Sequence, residues 1–536
     1  MIRTKEEIRQ EQLEKLKWKV TSYFFWSALF PLAVFLRLYR LGTWSLWYDE
    51  CASIQLSKLV DNKLSFLSPM LNNEPPMNPL LTFIWGHILG AIRFWELYSV
   101  WDDFAWRLLP CFWSILSVIV FYRVSKWMLD RPIAVVIATL LFVISPFQIY
   151  YAQELRIYSF YVLLNLLGLL FLFRILSKNG WKDWIGLGCI FVLLMYSHYF
   201  SVWTIFITNL FILVLMGLGR RNLFRKWFWT NVVAGIFVLP ALYLAWEFHQ
   251  IVSNIRYVWY PNPTIKTGLI TWKNFFAGYT SDTTVYWILF CLSLFLFVYG
   301  LWAYRNQPEQ GFYVFLMSLV PIFINVFFWG ARHFSFYEHR LFIFSGVVAL
   351  FAIAKGIHGL RYNAVRGAVL FIFILLTSSC LLDFYNQRLH PVDMHRLGVY
   401  HKVDFRSVGK WVREHFQEGD IIIYPSHFMA PSMRHYLEDY PQCRVGMSAI
   451  DVQVHIDTFG NPTLLQHHGL LPVPIEQATR KYNRLWFLES HGITFEYKPH
   501  TEPIRKYLNE NWERKEFKIF SGLSVTLYQR KTNTSG

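Results

Sequence analysis

Between residues 20 and 385 the chain is a succession of apolar runs, most of them close to the roughly 20 residues an α-helix needs to cross the hydrocarbon layer of a bilayer. A helix satisfies its own peptide groups, whereas an irregular chain or an open strand edge in lipid would leave them unpaired. The runs therefore predict a polytopic helical membrane protein. Composition agrees: of 536 residues 54% are hydrophobic and only 16% charged, with a mean hydropathy of +0.29. That profile excludes a disordered, collagen-like or disulfide-scaffold chain. The six cysteines, at 51, 111, 189, 291, 380 and 443, form no CxxC pair and lie mostly in apolar runs, which suggests neither a zinc site nor a disulfide framework.

The net charge of +16 is unevenly placed. Residues 386–536 carry 19 Lys/Arg against 16 Asp/Glu, whereas residues 1–385 carry 32 against 19. An excess inside the apolar part is what cytoplasmic loops produce, and it is poor evidence for a nucleic-acid partner. The first 19 residues mix Lys, Arg and Glu, and the run from Val20 lacks a small-residue cleavage site. A retained signal anchor with a cytoplasmic N-terminus is expected. Placing the basic clusters Arg123/Lys126/Arg131, Arg174/Lys178/Lys182, Arg220/Arg221/Arg225/Lys226, Arg305 and Lys355/Arg361/Arg366 inside gives spans near 20–39, 107–126, 133–150, 157–176, 184–197, 200–218, 227–247, 284–304, 311–330, 340–357 and 367–385. These eleven crossings put the C-terminal part outside. A further apolar stretch, 79–95, would invert everything after it; with NNEPPMNP leading in at 72–79, it is expected as a juxtamembrane or re-entrant helix on the outer face.

The expected organisation is a cytoplasmic segment 1–19, a transmembrane domain 20–385 whose outer loop 40–106 carries an acidic motif, and a small extracytoplasmic α/β domain 386–536. In the last, Phe405, Val408, Val412 and Phe416 recur at helical spacing, and a Gly419-Asp420 turn leads into a buried strand from Ile421 to Tyr424. Further strands are expected at 484–488 and 523–527, with a helix near 503–512 between them.

The acidic motif is Asp49-Glu50 in LWYDECAS at 46–53, beside Trp44, Trp47 and Tyr48. Adjacent acids at an interface are costly unless solvated, paired or used. They suit a general base or a metal ligand, or equally the first turn of a helix, where the dipole favours them. A second polar island, SPFQIYYAQELRIY at 145–158, sets Gln153, Glu154 and Arg156 at the outer mouth between two spans. Glu154 could face Asp49 across a cavity while Arg156 meets a phosphate; the bland alternative is a solvated turn with a snorkelling arginine. His198 in YSHYF and Arg340 in EHRLFIF lie on the same side. A lone histidine is more often structural than catalytic, and Arg340 suits either an anionic lipid phosphate or a headgroup anchor. His427, His435, His467 and His468 show no HExxH spacing and read as surface or structural. Walker A, GxGxxG and GxSxG patterns are absent from the sequence, which removes support for nucleotide hydrolysis, dinucleotide binding and serine-hydrolase chemistry.

In the order FLRLYRLGTWSLWYDE (35–50), Pro75-Pro76, RLLP (107–110), SPFQIYYAQELRIY, YSHYF, the Arg340-led helix and VDFRSVGKWVREHFQEGDIIIY (403–424), the sequence resembles the C-type (GT-C) glycosyltransferases, the group containing protein O-mannosyltransferases and the lipid A aminoarabinose transferase. It departs from that pattern at Glu74, where bacterial relatives often have His, and after Arg340, where the usual proline-containing continuation is missing. The resemblance implies transfer of a sugar, hexose or pentose, from a polyprenyl-phosphate donor to a lipid, glycan or protein acceptor at the outer face of the plasma (inner) membrane. It implies Asp49, beside Glu50, as the catalytic base for inverting attack, and Arg156 and Arg340 as donor-phosphate ligands. Glu154 matches the group's second acidic position, with His198, Tyr151 and Gln153 in support. In some members that acid helps to bind a divalent metal such as Mg or Mn, so Asp49 and Glu154 are candidate ligands; others work without one. A flippase or transporter of lipid-linked sugars, or an envelope-binding protein anchored among membrane lipids, would share the spans. A transporter would more naturally place its charges at mid-membrane on broken helices or repeats, and a binding protein gives no reason for Asp49-Glu50.

Overall fold

The computed structural model describes residues 5–58, 75–91, 100–253, 263–330, 337–389, 402–426, 429–447, 471–490 and 498–531. Asn72, Asn73, Glu74, residues 92–95 and the histidines 427, 467 and 468 lie outside them. Among the described residues, eight helices are long and apolar enough to cross a membrane: Arg9–Leu38, Asp102–Met128, Tyr158–Lys178, Arg221–Trp246, Thr283–Asn306, Pro308–Phe327, His339–Gly359 and Asn363–Tyr385. The other three expected spans differ from simple crossings. The run 133–150 is two helices, Pro132–Val143 and Pro146–Ala152, bent by 51°. Pro146 has no N–H to continue the first helix, and Ser145 caps the second by accepting from Gln148 N. The runs 184–197 and 200–218 are the helices Trp181–Ser197 and Ser201–Gly217, 17 residues each and at the lower limit for a crossing. The apolar stretch 79–95 overlaps the helix Met77–Ala91, at 15 residues too short to span.

The His339–Gly359 helix is the axis of the bundle and is buried along almost its entire length. It packs against Thr283–Ala303 at glycines: a Cβ built on Gly300 would lie 1.8 Å from Ala352 O, and one on Gly356 2.2 Å from Leu296 O. Small residues let backbones approach where lipid offers no hydrophobic drive to helix association. At one end of the bundle, short turns are tied by ion pairs, Arg220 to Glu309 at 2.6 Å and Lys355 to Asp130 at 2.5 Å.

At the opposite helix ends sits a six-stranded mixed sheet. Its strands are β1 (Asp420–Tyr424), β2 (Gln442–Gly446), β3 (Val473–Pro474), β4 (Arg484–Ser490), β5 (Trp512–Phe520) and β6 (Leu523–Arg530), in the order β3-β2-β1-β4-β6-β5. β1 pairs in parallel with β2 and β4, whereas β6 is antiparallel to both β4 and β5. Alternation along the strands makes two cores. Ile421, Ile423, Leu485 and Phe487 face Ile504 and Leu508 of the helix Lys498–Asn511. Ile422, Tyr424, Trp486 and Leu488 face Phe405, Val408 and Val412 of the helix Phe405–His415, in a cluster that also takes in Leu46, Cys51, Ile54, Trp106 and Leu155. One sheet layer is thereby fused to the loops at this end of the bundle.

Candidate active site

The helix Tyr48–Lys58 begins with both acids in its first turn, where free N–H groups and the helix dipole favour negative charge. The turn sends the two carboxylates in different directions. Glu50 is fully buried: Arg107 Nε and Nη2 donate to its two oxygens at 2.8 and 2.6 Å, Leu155 N–H donates at 2.9 Å, and Lys402 Nζ lies 3.3 Å away. Arg107 also donates to Trp44 O and Ser45 O. Burial opposes ionisation of Glu50, but Arg107 and Lys402 outweigh it and hold the carboxyl well below the usual carboxylate range. Glu50 is thus the anion that locks the segment before and through the helix Tyr48–Lys58 to the helix Asp102–Met128 and to the polar island.

Asp49 keeps 17% of its side chain accessible. Its Oδ2 is 3.2 Å from Arg340 Nη1 and 4.0 Å from Arg156 Nη2. Arg340 heads the axial helix, pairs with Glu338 through Nε and lies over the Tyr158 ring at 5.6 Å. Arg156 Nη1 donates to Ser53 Oγ at 3.1 Å, which Asn78 Nδ2 also reaches at 3.0 Å. Arginines from two distant elements therefore converge on one carboxylate.

The bend at Pro146 places the rest of the island. Gln153 Nε2 donates to Arg37 O and Tyr39 O, both at 2.9 Å, tying the island to the end of the first helix. Tyr151 and Tyr279 share a 2.5 Å hydroxyl contact. Glu154 is 1% exposed and neither oxygen accepts a hydrogen bond among the described residues; Lys402 Nζ stands 3.6 Å from Oε2. Burial raises its pKa. His198 ends the helix Trp181–Ser197, and its Nδ1 accepts from Phe200 N–H at 3.1 Å. Burial of the ring, with Arg340 and Arg156 nearby adding to it, holds its pKa down to about 3, so the ring is neutral. It packs against Tyr158 and Tyr161 as a structural turn residue.

Lys402 belongs to this site and carries no sequence signal of it, whereas Glu338 and Ser53 lie within EHRLFIF and LWYDECAS without being singled out there. Lys402 stands two residues before the helix-capping Asp404, in a region that reads as a separate soluble unit. Asp49 and Glu154 do not fit a divalent metal: Asp49 already faces two guanidinium groups and Glu154 an ammonium. Among the described residues the grouping with metal-type donors within 4.8 Å of one another is Asp102, Asp103 and His435. There Asp103 is held by Arg406 at 2.7 Å and by Tyr436 OH, and Asp102 lies 3.2 Å from His435, so these groups serve as a latch between bundle and sheet.

The chain has the fold of the polytopic C-type membrane glycosyltransferases. Within that class its structure is similar to ArnT from Cupriavidus metallidurans, in the apo state (TM-score 0.60, 13% identity, 94% of this chain and 98% of that one) and bound to undecaprenyl phosphate (0.59, 12%, 94% and 98%). It is also similar to the oligosaccharyltransferase AglB from Archaeoglobus fulgidus in complex with an inhibitory peptide and a dolichol-phosphate (0.51, 11%, 96% and 75%). The sequence profile of the dolichyl-phosphate-mannose-protein mannosyltransferases matches residues 91–246. Among curated proteins no sequence matches the chain.

Proposed function

We propose that this protein is a glycosyltransferase that moves a hexosyl or pentosyl group from a polyprenyl-phosphate donor to a lipid, glycan or protein acceptor at the outer face of the plasma (inner) membrane. The observation that carries the proposal is the convergence of Arg156 and Arg340 on Asp49 at the bundle end covered by the sheet. The undecaprenyl phosphate and dolichol-phosphate named with the similar structures support a lipid-phosphate donor.

The acceptor hydroxyl attacks the anomeric carbon from the face opposite the phosphate, and Asp49 takes its proton. The new C–O bond forms as the bond to the phosphate oxygen breaks, so the configuration inverts and polyprenyl phosphate departs. Its growing charge is met by Arg156 and Arg340, whose guanidinium groups match phosphate geometry. Phosphate is a good leaving group, so less depends on a general acid than in glycoside hydrolysis. The test is purified protein incubated with a panel of radiolabelled polyprenyl-phosphate sugars. Release of polyprenyl phosphate with transfer of label supports the proposal; movement of intact lipid across the bilayer without cleavage contradicts it.

A further inference from the structure

The C-terminal part does more than cover the site. Segment 402–406 is stitched into the outer loop: Ser45 Oγ donates to Val403 O at 2.6 Å, Phe405 N–H donates to Ser45 Oγ at 3.2 Å, and Arg406 donates to Gly42 O and Thr43 O. This docking drives Lys402, 4% exposed, between two buried carboxylates, with Nζ 3.3 Å from Glu50 Oε2, 3.6 Å from Glu154 Oε2 and 5.5 Å from the centre of the Tyr150 ring. Glu50 has other donors; Glu154 has none among the described residues. A buried carboxyl without hydrogen bonds stays ionised only with a cation in contact.

We infer that Lys402 is the built-in cation of this site, a positioning residue that holds Glu154 beside the reacting groups in place of a divalent metal and completes the site only when segment 402–406 is docked. This rests on the transferase proposal for its effect on turnover, but the Lys402–Glu154 pairing stands apart from it. Among the described residues each of these acids has a cationic side chain against it, Arg156 and Arg340 at Asp49 and Lys402 at Glu50 and Glu154, and an added divalent ion would meet their repulsion.

Two measurements on the full-length protein in detergent test it. Titration with Mn²⁺ followed by electron paramagnetic resonance should detect no ion whose binding depends on Glu154, and turnover should be unchanged by a chelator. Mn²⁺ binding that Glu154→Gln abolishes overturns the inference even if no sugar donor is accepted. Lys402→Met should lower the melting temperature, and Lys402→Met/Glu154→Gln should recover more than half of that loss; no recovery overturns the pairing. With an accepted donor, Lys402→Met should lower kcat by about 100-fold, the scale of a misplaced site. Polyprenyl-phosphate Kd should change less than threefold, and Lys402→Arg should restore most of the rate. Normal kcat in Lys402→Met contradicts the role in turnover, whereas an inert wild type with intact pairing removes only the transferase proposal.

Discussion

Arg340 Nη1 lies 3.2 Å from Asp49 Oδ2 although 291 residues separate them in sequence. The contact joins the first turn of the helix Tyr48–Lys58 to the N-terminal end of the axial helix. In the proposed reaction Arg340 leaves this pairing to meet the departing phosphate. Arg340→Met should lower kcat by about 100- to 1,000-fold, as loss of one charge-stabilising donor does in other enzymes. Arg340→Lys, keeping charge but losing the planar fork, should fall between. Steady-state kinetics on both variants check this.

Glu50 should behave differently from its neighbour. Its bidentate partner Arg107 is wholly buried, and removing one member of a buried pair costs about 3–5 kcal/mol. Arg107→Met should give little folded protein, measured as the monodisperse fraction on size exclusion. An Arg107→Met protein of normal yield and melting temperature would show that Glu50 does not lock the loop.

Helix contact through glycine makes a second stability prediction. Gly356 sits against Leu296 O so closely that a side chain must push the helices apart. Overpacking of this kind costs about 1–3 kcal/mol or more. Gly356→Val should melt several degrees below the wild type; an unchanged melting temperature would contradict the close approach.

Acid should destabilise the fold partly through His198. Its pKa is depressed to about 3, against about 6.5 in an unfolded chain. Between these values the unfolded state binds the extra proton, so stability is full above about pH 6.5 and falls as pH drops toward 3. Glu50, also depressed, acts in the same direction only below about 4.3, its unfolded value. From pH 6.5 to 4.5 the melting temperature of His198→Asn should therefore fall less steeply than that of the wild type. Parallel curves would show that His198 is not held neutral.

The spans were legible because the bilayer imposes a length and a composition on each. What the apolar pattern could not show is local: the 51° break at Ser145-Pro146, which one hydrophobic run conceals. In the sheet, the strongly apolar Ile421–Ile423 stood out. β5 did not, because its charged residues suit an edge strand exposed along most of its length. The order of Asp49, Glu154, Arg156 and Arg340 along the chain marked them as candidates, and only the family resemblance, not the residues themselves, set Asp49 apart from Glu50. That distinction comes from which way one helical turn points each carboxylate. Lys402 was invisible because its partners lie about 250 and 350 positions away.

The most direct measurement is transfer of labelled sugar from an accepted polyprenyl-phosphate donor by wild type and Asp49→Asn, with melting temperature and polyprenyl-phosphate affinity recorded for both. Loss of a general base lowers turnover about 100- to 10,000-fold. The expected result is a loss in that range with a folded protein that still binds the lipid phosphate. Near-normal turnover by Asp49→Asn would remove Asp49 from the chemistry.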